Sequence, residues 1–587
     1  MLGSKLDLIT LPSSSPPTNS TTTLRQNNTD PEAKWIVQKY GGTSVGKFPV
    51  NIARDIVSNY IGQHKITVVC SARSGSAKAL GTTNLLLKAA SEARQRHKLF
   101  NGSGTMTPSI NGIFRRSSET SPNSPIRRSS PSPSSPSTGA LTPLITPQTG
   151  QSQPEFNVTV DLIRSEHMNA AKASVKNPEI LQELEDEIDR DCDWLRSFLF
   201  AAQVINEISP RSRDNIIGFG ERLACKLMTA VLRDQGIDAE YVSLEDIIPV
   251  SEDNDTAPEG SLNQAFYDGG CTPRVPVVTG FFGHVPGSLL RQVGRGYTDL
   301  LSALLAVGLE ASELQIWKEV DGIFTADPRK VPTARLIPII SPDEAAELTY
   351  YGSEVVHPFT MEQVIRQKIP IRIKNVENPL GGGTVIHPDP DIEVSPDDGL
   401  CEVPVAMSQD LSPSNDELRR NKRLPTAVTI KERIVVLNVN SNRKSVSHGF
   451  LAGIFGTLDR FGVVVDLIST SEVHVSMAIE DNLSRTTMDR LVEELKKSGT
   501  VSVHREMAIL SLVGQQMRNL VGISGRMFTS LGQGNVNIEM ISQGASEINI
   551  SCVIEGRDAV KALNLIHQSC LQIKPEGPRG RVGPWLF

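Results

Sequence analysis

Apolar residues first gather at Trp35-Ile36-Val37-Gln38-Lys39-Tyr40 and stop at Gly41-Gly42, which predicts a buried strand ending in a tight turn. A second run, Ile66-Thr67-Val68-Val69-Cys70, predicts another strand. Between them Val50, Ala53, Ile56 and Val57 recur at helical spacing over residues 49–60. Strand, helix, strand implies a parallel α/β sheet. Helical spacing returns over 180–208, and strand-like runs follow at 275–279, 314–318 and 369–373. After residue 425 the pattern shortens. Strand 434–439, helix 450–460, strands 463–469 and 473–479 and helix 486–497 form one unit. Segments 508–513, 522–531, 536–541, 548–553 and 559–568 repeat its order. Two such copies read as ferredoxin-like modules.

Composition breaks this pattern in three places. Residues 1–32 are rich in Ser, Thr, Pro and Asn and read as a disordered tail. A Ser/Pro-rich insertion over about 99–155 has too few apolar groups to offset its ordering entropy, and reads as disordered. It carries Arg115-Arg116-Ser117 and Arg127-Arg128-Ser129, so a solvated loop and a phosphorylation-controlled segment both stand open. Pro, Asp and Ser accumulate again over 391–425, marking a linker. The expected division is therefore a large domain over 33–390, units over 426–504 and 505–575, and a tail over 576–587. A chain of 587 residues is too long for one core in any case.

Net charge −7 argues against a nucleic-acid partner. No apolar run reaches the roughly 20 residues that span a bilayer. The start of the chain lacks a basic-then-apolar leader, so a cytoplasmic protein is expected. Seven cysteines without a CxxC pair suggest neither a zinc site nor a disulfide framework, and no protein metal site is expected.

The chemistry concentrates at Lys39-Tyr40-Gly41-Gly42-Thr43-Ser44-Val45-Gly46, where glycines let backbone N–H groups approach an anion. The lysine precedes the glycines, so this is not a Walker A loop. Further along stand Val68-Val69-Cys70-Ser71-Ala72, Gly218-Phe219-Gly220-Glu221 and Gly294-Arg295-Gly296-Tyr297-Thr298-Asp299. A long run from Ile316-Trp317-Lys318-Glu319-Val320-Asp321-Gly322 to Arg329 follows, and then Tyr350-Tyr351-Gly352-Ser353-Glu354-Val355-Val356-His357-Pro358. Together, in this order, these motifs closely resemble the aspartokinases of the amino-acid kinase superfamily, and the monofunctional fungal branch most. The resemblance runs from about Trp35 to the C-terminus.

It implies a three-layer α/β sandwich of the carbamate-kinase-like type over 33–390, followed by two ACT domains of ferredoxin-like fold. It implies transfer of the γ-phosphoryl group of ATP, carried with Mg2+, to the β-carboxylate of L-aspartate, which opens threonine and methionine biosynthesis. Such a carboxylate is ionised at neutral pH and needs no general base, so positioning and electrostatics carry the work. By the same resemblance Lys39 is the catalytic cation and Asp299 organises it. Lys39, Gly41, Gly42, Thr43, Ser44, Lys318, Glu319, Phe324 and Arg329 would hold ATP. Arg295 would clamp the substrate α-carboxylate, Glu221 would pair its ammonium group, and Ser71, Thr83 and Thr298 would add hydrogen bonds. Taken singly, Glu221 also reads as a helix-dipole partner and Asp299 as a helix cap. Glu354 stands where several bacterial relatives carry an ATP-contacting lysine, and Lys318 is expected to supply the missing charge.

In the ACT pair, His448, Gly449, Phe450, Leu451, Asp466, Thr470 and Ser471 match the effector pattern. Threonine is the first expected effector and lysine the second, and side-by-side ACT pairing implies at least a homodimer. Two other readings compete, and Lys39, Glu221, Arg295, Asp299 and the tandem ACT units argue against them. One is a small-molecule kinase of the same superfamily acting on glutamate, acetylglutamate or a nucleotide. The other is a catalytically silent amino-acid sensor.

Overall fold

The computed structural model describes residues 24–75, 81–94, 154–245, 273–283, 288–351, 356–388, 424–442, 449–515, 517, 520–544 and 548–571. The body of the expected insertion, most of the linker, the C-terminal tail, Glu354 and His448 lie outside them.

Eight strands build the first sheet: β1 Trp35–Tyr40, β2 Lys65–Cys70, β3 Ala239–Val242, β4 Val275–Thr279, β5 Glu313–Lys318, β6 Ile339–Ile340, β7 Ile371–Asn375 and β8 Thr384–Ile386. Their order is β3-β4-β2-β1-β5-β7-β8-β6, parallel except between β7 and β8. Successive residues of a strand face opposite layers. Ile36, Tyr40, Ile66 and Val68 pack under the helices Thr82–Arg94, Glu155–Ser174, Pro178–Ile205 and Pro210–Asp234. Val37, Val69, Leu314 and Ile316 pack under Tyr297–Gly308, Pro342–Tyr350 and Pro358–Arg366. Burial on both faces is why these strands read as nearly unbroken apolar runs. The expected three-layer α/β architecture is the observed one.

β1 has β2 on one side and β5 on the other, in register Lys39↔Val69 and Lys39↔Ile316. The chain thus winds away from β1 in both directions, and such a switch point opens a crevice at the carboxyl ends of the strands. Lys39 sits one residue from that edge. Residues 49–60 are helical as expected, but Ile52–Val57 form π-helical turns, a widening that often accompanies functional sites.

The expected tail is shorter than its composition suggested. The Asn27 side-chain amide donates to the carbonyls of Ile66 and Arg274, each at 3.1 Å, and its carbonyl accepts from Ile66 N at 2.9 Å. One buried amide thereby satisfies the amino ends of β2 and β4, which ties residues 24–32 to the sheet.

The second sheet holds β9 Ala427–Ser441, β10 Leu467–Thr470, β11 His474–Glu480, β12 Gly499–Val513, β13 Met540–Ser542 and β14 Asn549–Glu555, in the order β10-β11-β9-β12-β14-β13. Helices Phe450–Arg460 and Arg485–Lys496 cover one end; Ile523–Gln533 and Ala559–Cys570 cover the other. The two ferredoxin-like units are interleaved. Ile434–Asn440 pair with β11 and with the first half of β12, but Ala427–Lys431 pair with Ile509–Val513 in its second half. The opening residues of β9 therefore complete the second unit, which departs from a linear division at residue 505. Arg433 and Glu506, both at φ 59°, mark the crossing in the two long strands. Sequence order could not expose this exchange, because the pairing joins segments about eighty residues apart. Among the described residues no helix is long and apolar enough to cross a membrane.

Candidate active site

The glycines after β1 serve a close approach between two loops. A Cβ on Gly42 would lie 2.1 Å from the Ala72 carbonyl oxygen, and one on Gly46 would lie 2.1 Å from that of Ser74. Ser74 N donates to Gly42 O at 2.9 Å, and the Thr43 and Ser74 hydroxyls stand 3.2 Å apart. The Gly-rich turn and the turn after β2 thus form one rigid rim. Buried Ser44 adds a bond across the crevice, donating from Oγ to Glu319 Oε1 at 2.7 Å.

Lys39 and Asp299 meet at the centre of the crevice, with Nζ 2.5 Å from Oδ1. Lys39 rides the end of β1, whereas Asp299 lies in the first turn of the Tyr297–Gly308 helix. Burial alone would raise the Asp299 pKa. The charges of Lys39, Lys318 and His357 outweigh that, so the carboxyl is held below its usual range. The charges of two lysines thus act on one carboxylate.

Beside this pair Glu221 is buried on the Pro210–Asp234 helix. Thr298 Oγ1 donates to its Oε1 at 2.6 Å, while Oε2 has no hydrogen-bond partner. Burial pushes its pKa up to about 8, against the opposing hydrogen bonds of Thr298 and Tyr297 and the charge of Lys39. Gly280 keeps the space around it. A Cβ there would lie 2.6 Å from Thr298 Oγ1 and 2.7 Å from Glu221 Oε2. A cavity of about 690 Å³ opens on this carboxyl, lined by Ser71, Thr83, Glu221, Tyr297 and Thr298 among others. One unpartnered buried carboxylate oxygen, ringed by hydroxyls, suits a ligand ammonium group.

The structure therefore brings Lys39, Gly42, Thr43, Ser44, Ser71, Thr83, Glu221, Thr298, Asp299, Lys318 and Glu319 to one crevice, and Gly41 caps its first helix. The Arg295 backbone lies in the short helix Gly294–Gly296 beside it, and its side chain is outside the described atoms. Phe324 forms a bridge with Leu336 in the long loop after β5. Arg329, in the same loop, is 88% exposed and pairs with Asp327, two residues back and away from the crevice. Sequence reasoning gave no role to Gly280 or Tyr297. Tyr297 had a signal, standing between Arg295 and Thr298 in a run already singled out. Gly280 had only its place after a strand.

The effector candidates occupy an outer edge of the regulatory sheet. Gly449 caps the Phe450–Arg460 helix at φ 80°, a conformation that favours glycine. Leu451, Thr470 and Ser471 are exposed and Phe450 is half-buried. Asp466 already has a partner, since Lys431 Nζ lies 2.7 Å from its Oδ1. That lysine comes from the exchanged segment of β9, so the pair stitches the two units together.

Contacts also run from the crevice to the regulatory sheet. The loop after β5 packs Ala326 and Val331 into the core of the second unit. Thr325 Oγ1 lies 2.9 Å from His567 Nε2, and Val428 N donates to Thr325 O at 2.8 Å. His567 is buried, and burial with the charge of Arg335 lowers its pKa. Glu344, held by a capping box with Ser341, accepts from Gln515 N at 2.6 Å.

Residues 34–375 match the model of the amino acid kinase family, and residues 510–570 match an ACT domain. The aspartokinase of Schizosaccharomyces pombe is 47% identical over 95% of this chain and 98% of its own length. That of Saccharomyces cerevisiae is 44% identical over 92% of this chain and 94% of its own. Among solved structures, Escherichia coli aspartokinase III in complex with lysine and aspartate superposes with a TM-score of 0.63 at 24% identity, covering 91% of this chain and 99% of that one. The same enzyme in complex with aspartate and ADP gives 0.60.

Proposed function

The chain belongs to the aspartokinase family and is an aspartate kinase; from that premise we propose that it converts L-aspartate and ATP into 4-phospho-L-aspartate and ADP, at the head of threonine and methionine biosynthesis. The observation that carries the reading is the Lys39–Asp299 pair at the carboxyl edge of β1, next to the unpartnered oxygen of Glu221. The β-carboxylate of aspartate is already anionic, so the barrier is the approach of two negative groups. Lys39 and Lys318 offset that repulsion, and the Gly41–Ser44 turn supplies backbone donors that need no reorganisation. Asp299 fixes the position of the Lys39 ammonium group. Glu221, with Ser71, Thr83 and Thr298, would receive the substrate's amino-acid end, and Arg295 its α-carboxylate. Glu319, Phe324 and Arg329 would complete the nucleotide side. Magnesium commonly binds through one or two carboxylates plus substrate phosphates, so it is expected to travel with the nucleotide.

The regulatory pair would bind threonine and inhibit. Lysine is the second candidate, in keeping with the lysine complex of the bacterial relative. Exposed Leu451, Thr470 and Ser471 would be covered by a second copy, giving at least a dimer. Glu354 is outside the described residues, so the compensating role of Lys318 rests on its charge acting at Asp299.

A hydroxamate assay with aspartate and MgATP, with and without threonine or lysine, tests this reading. Acyl phosphate must form from aspartate and not from glutamate. Lys318→Met must raise the KM for ATP or lower turnover. Unchanged kinetics in that variant would remove Lys318 from the phosphate site.

A further inference from the structure

Two antiparallel helices, Glu155–Ser174 and Pro178–Ile205, form a hairpin on the outside of the first domain, held by ion pairs Arg164–Asp189, Lys172–Glu185 and Arg196–Asp161. The active site uses no residue of it. Its outer face is a continuous exposed seam. On the longer helix Glu179, Glu183, Asp186, Arg190, Asp193, Ser197, Phe200 and Val204 are all exposed, and their spacing alternates four and three residues. On the shorter helix Val158, Leu162, Ser165 and Asn169 continue the same rhythm. That spacing marks the solvent-facing stripe of each helix. It is acidic at one end and apolar at the other, where Val158 is 67% exposed, Phe200 57%, Val204 66% and Ile205 70%. The Arg196–Asp161 pair joins the start of the shorter helix to the last third of the longer one. Several large apolar side chains gathered on one exposed face mark an interaction surface.

We propose that this face is the docking surface for the chain's own Ser/Pro-rich segment, residues 95–153. Three observations select that occupant. The first is connection: the segment leaves the described fold at Arg94 and rejoins it at Pro154, four residues before Val158. Leu141, Leu144 and Ile145 lie 9 to 13 residues from Pro154, and an extended chain spans about 3.3 Å per residue, so they reach the patch with length to spare. The second is charge. The segment holds six cations (Arg96, Lys98, Arg115, Arg116, Arg127, Arg128) and one acid (Glu119), a net of +5. Residues 155–205 hold eleven acids and five cations, a net of −6. The third is composition: the segment's basic pairs precede its apolar cluster, so it offers a counterpart to each part of the seam. Tethering raises the effective concentration toward the millimolar range, so a weak contact suffices.

Hydroxyl-radical footprinting of the full chain tests this. The comparison is a chain whose residues 99–150 are replaced by a short Gly/Ser linker. Phe200 should label several-fold less in the full chain, while exposed Tyr350, remote in the regulatory interface, labels equally in both. Joint Arg115→Glu, Arg116→Glu, Arg127→Glu and Arg128→Glu substitution should raise labelling toward that of the linker chain. Equal labelling in full and linker chains overturns the proposal. Protection that survives in the linker chain and disappears on dilution, with a fall in mass by light scattering, assigns the face to a second copy and overturns it equally.

Discussion

The two sheets bury polarity in opposite ways. In the catalytic sheet the buried polar groups include Gln38, Lys39, Gln315 and Lys374, with Glu221 on a covering helix. In the regulatory sheet the buried polar residues among those described include no carboxylate, ammonium or guanidinium group: they are Thr429, Ser511 and Ser551 in the strands and Thr457 and His567 on covering helices, while the candidate effector groups sit at an exposed edge. A site that must stabilise a transferring phosphoryl group needs its charges fixed and desolvated beforehand, and it carries the destabilisation this entails. A site that reports a metabolite needs only to favour one arrangement over another, and exposure lets a second chain complete it.

The largest effect should follow from removing the central charge. Lys39→Met should lower kcat by about 10²- to 10³-fold, the loss typical of deleting one preorganised donor. It should also free Asp299, whose low pKa depends on that lysine after burial is counted against it. A variant with near-normal turnover would mean that the cationic cluster is not the catalytic element.

Gly280→Ala probes how tightly the acidic pole is packed. Its Cβ would crowd both Thr298 and Glu221, and such overpacking costs about 1–3 kcal/mol. Substrate binding should absorb most of that, so the KM for aspartate should rise by about one to two orders of magnitude while the melting temperature falls. An unchanged KM would show that the pole does not touch substrate.

Glu221 gives the comparison a pH axis. Its pKa in the fold, about 8, exceeds the ordinary 4.5, so the folded protein retains a proton that the unfolded chain gives up. The stabilisation this proton lends is complete below about pH 4.5 and is lost as pH rises through about 8. An arriving ammonium group displaces the proton. The KM for aspartate should therefore fall with rising pH, by up to about tenfold per unit below pH 8. The thermal stabilisation by aspartate should likewise be larger at pH 8 than at pH 6. Glu221→Gln should weaken binding and flatten both profiles; a wild-type KM already flat over that range contradicts the assignment.

The smallest effects belong to exposed groups. Arg329→Ala removes a surface ion pair worth about 0–1 kcal/mol and should shift the KM for ATP by no more than about fivefold. A large loss would bring Arg329 into the nucleotide site despite its present pairing with Asp327. Lys431→Met should release Asp466, leave uninhibited turnover within about twofold, and lower the threonine concentration for half-inhibition if an ammonium group contests that carboxylate. An unchanged inhibition curve would remove Asp466 from the effector site.

Periodicity and local chemistry set out much of this molecule in the sequence. β1 and β4 were readable to the residue because strands covered on both faces leave continuous apolar runs. The Phe450–Arg460 helix was equally plain from its spacing. The residues at the crevice were legible as motif members, although only some motifs, such as Lys39 to Ser44, lie where a strand meets a helix, and Glu221 lies inside a helix. Other features were invisible. Ser44 and Glu319 are 275 residues apart, and nothing near either one announces their bond. The exchange of Ala427–Lys431 into the second unit depends on pairing over roughly eighty residues. The anchoring of residues 24–32 combines one buried amide in a polar stretch with a backbone bridge from Arg25 to Ile237.

What the chain determined by itself is which residue types stand at each strand end, because a two-residue or 3.6-residue period is a local property. What the tertiary structure decided is their state: that Glu221 retains a proton, that two lysines share Asp299, and that Asp466 is already paired. Those outcomes depend on desolvation and on distances between charges brought together from far along the chain, and both quantities exist only once the chain is packed.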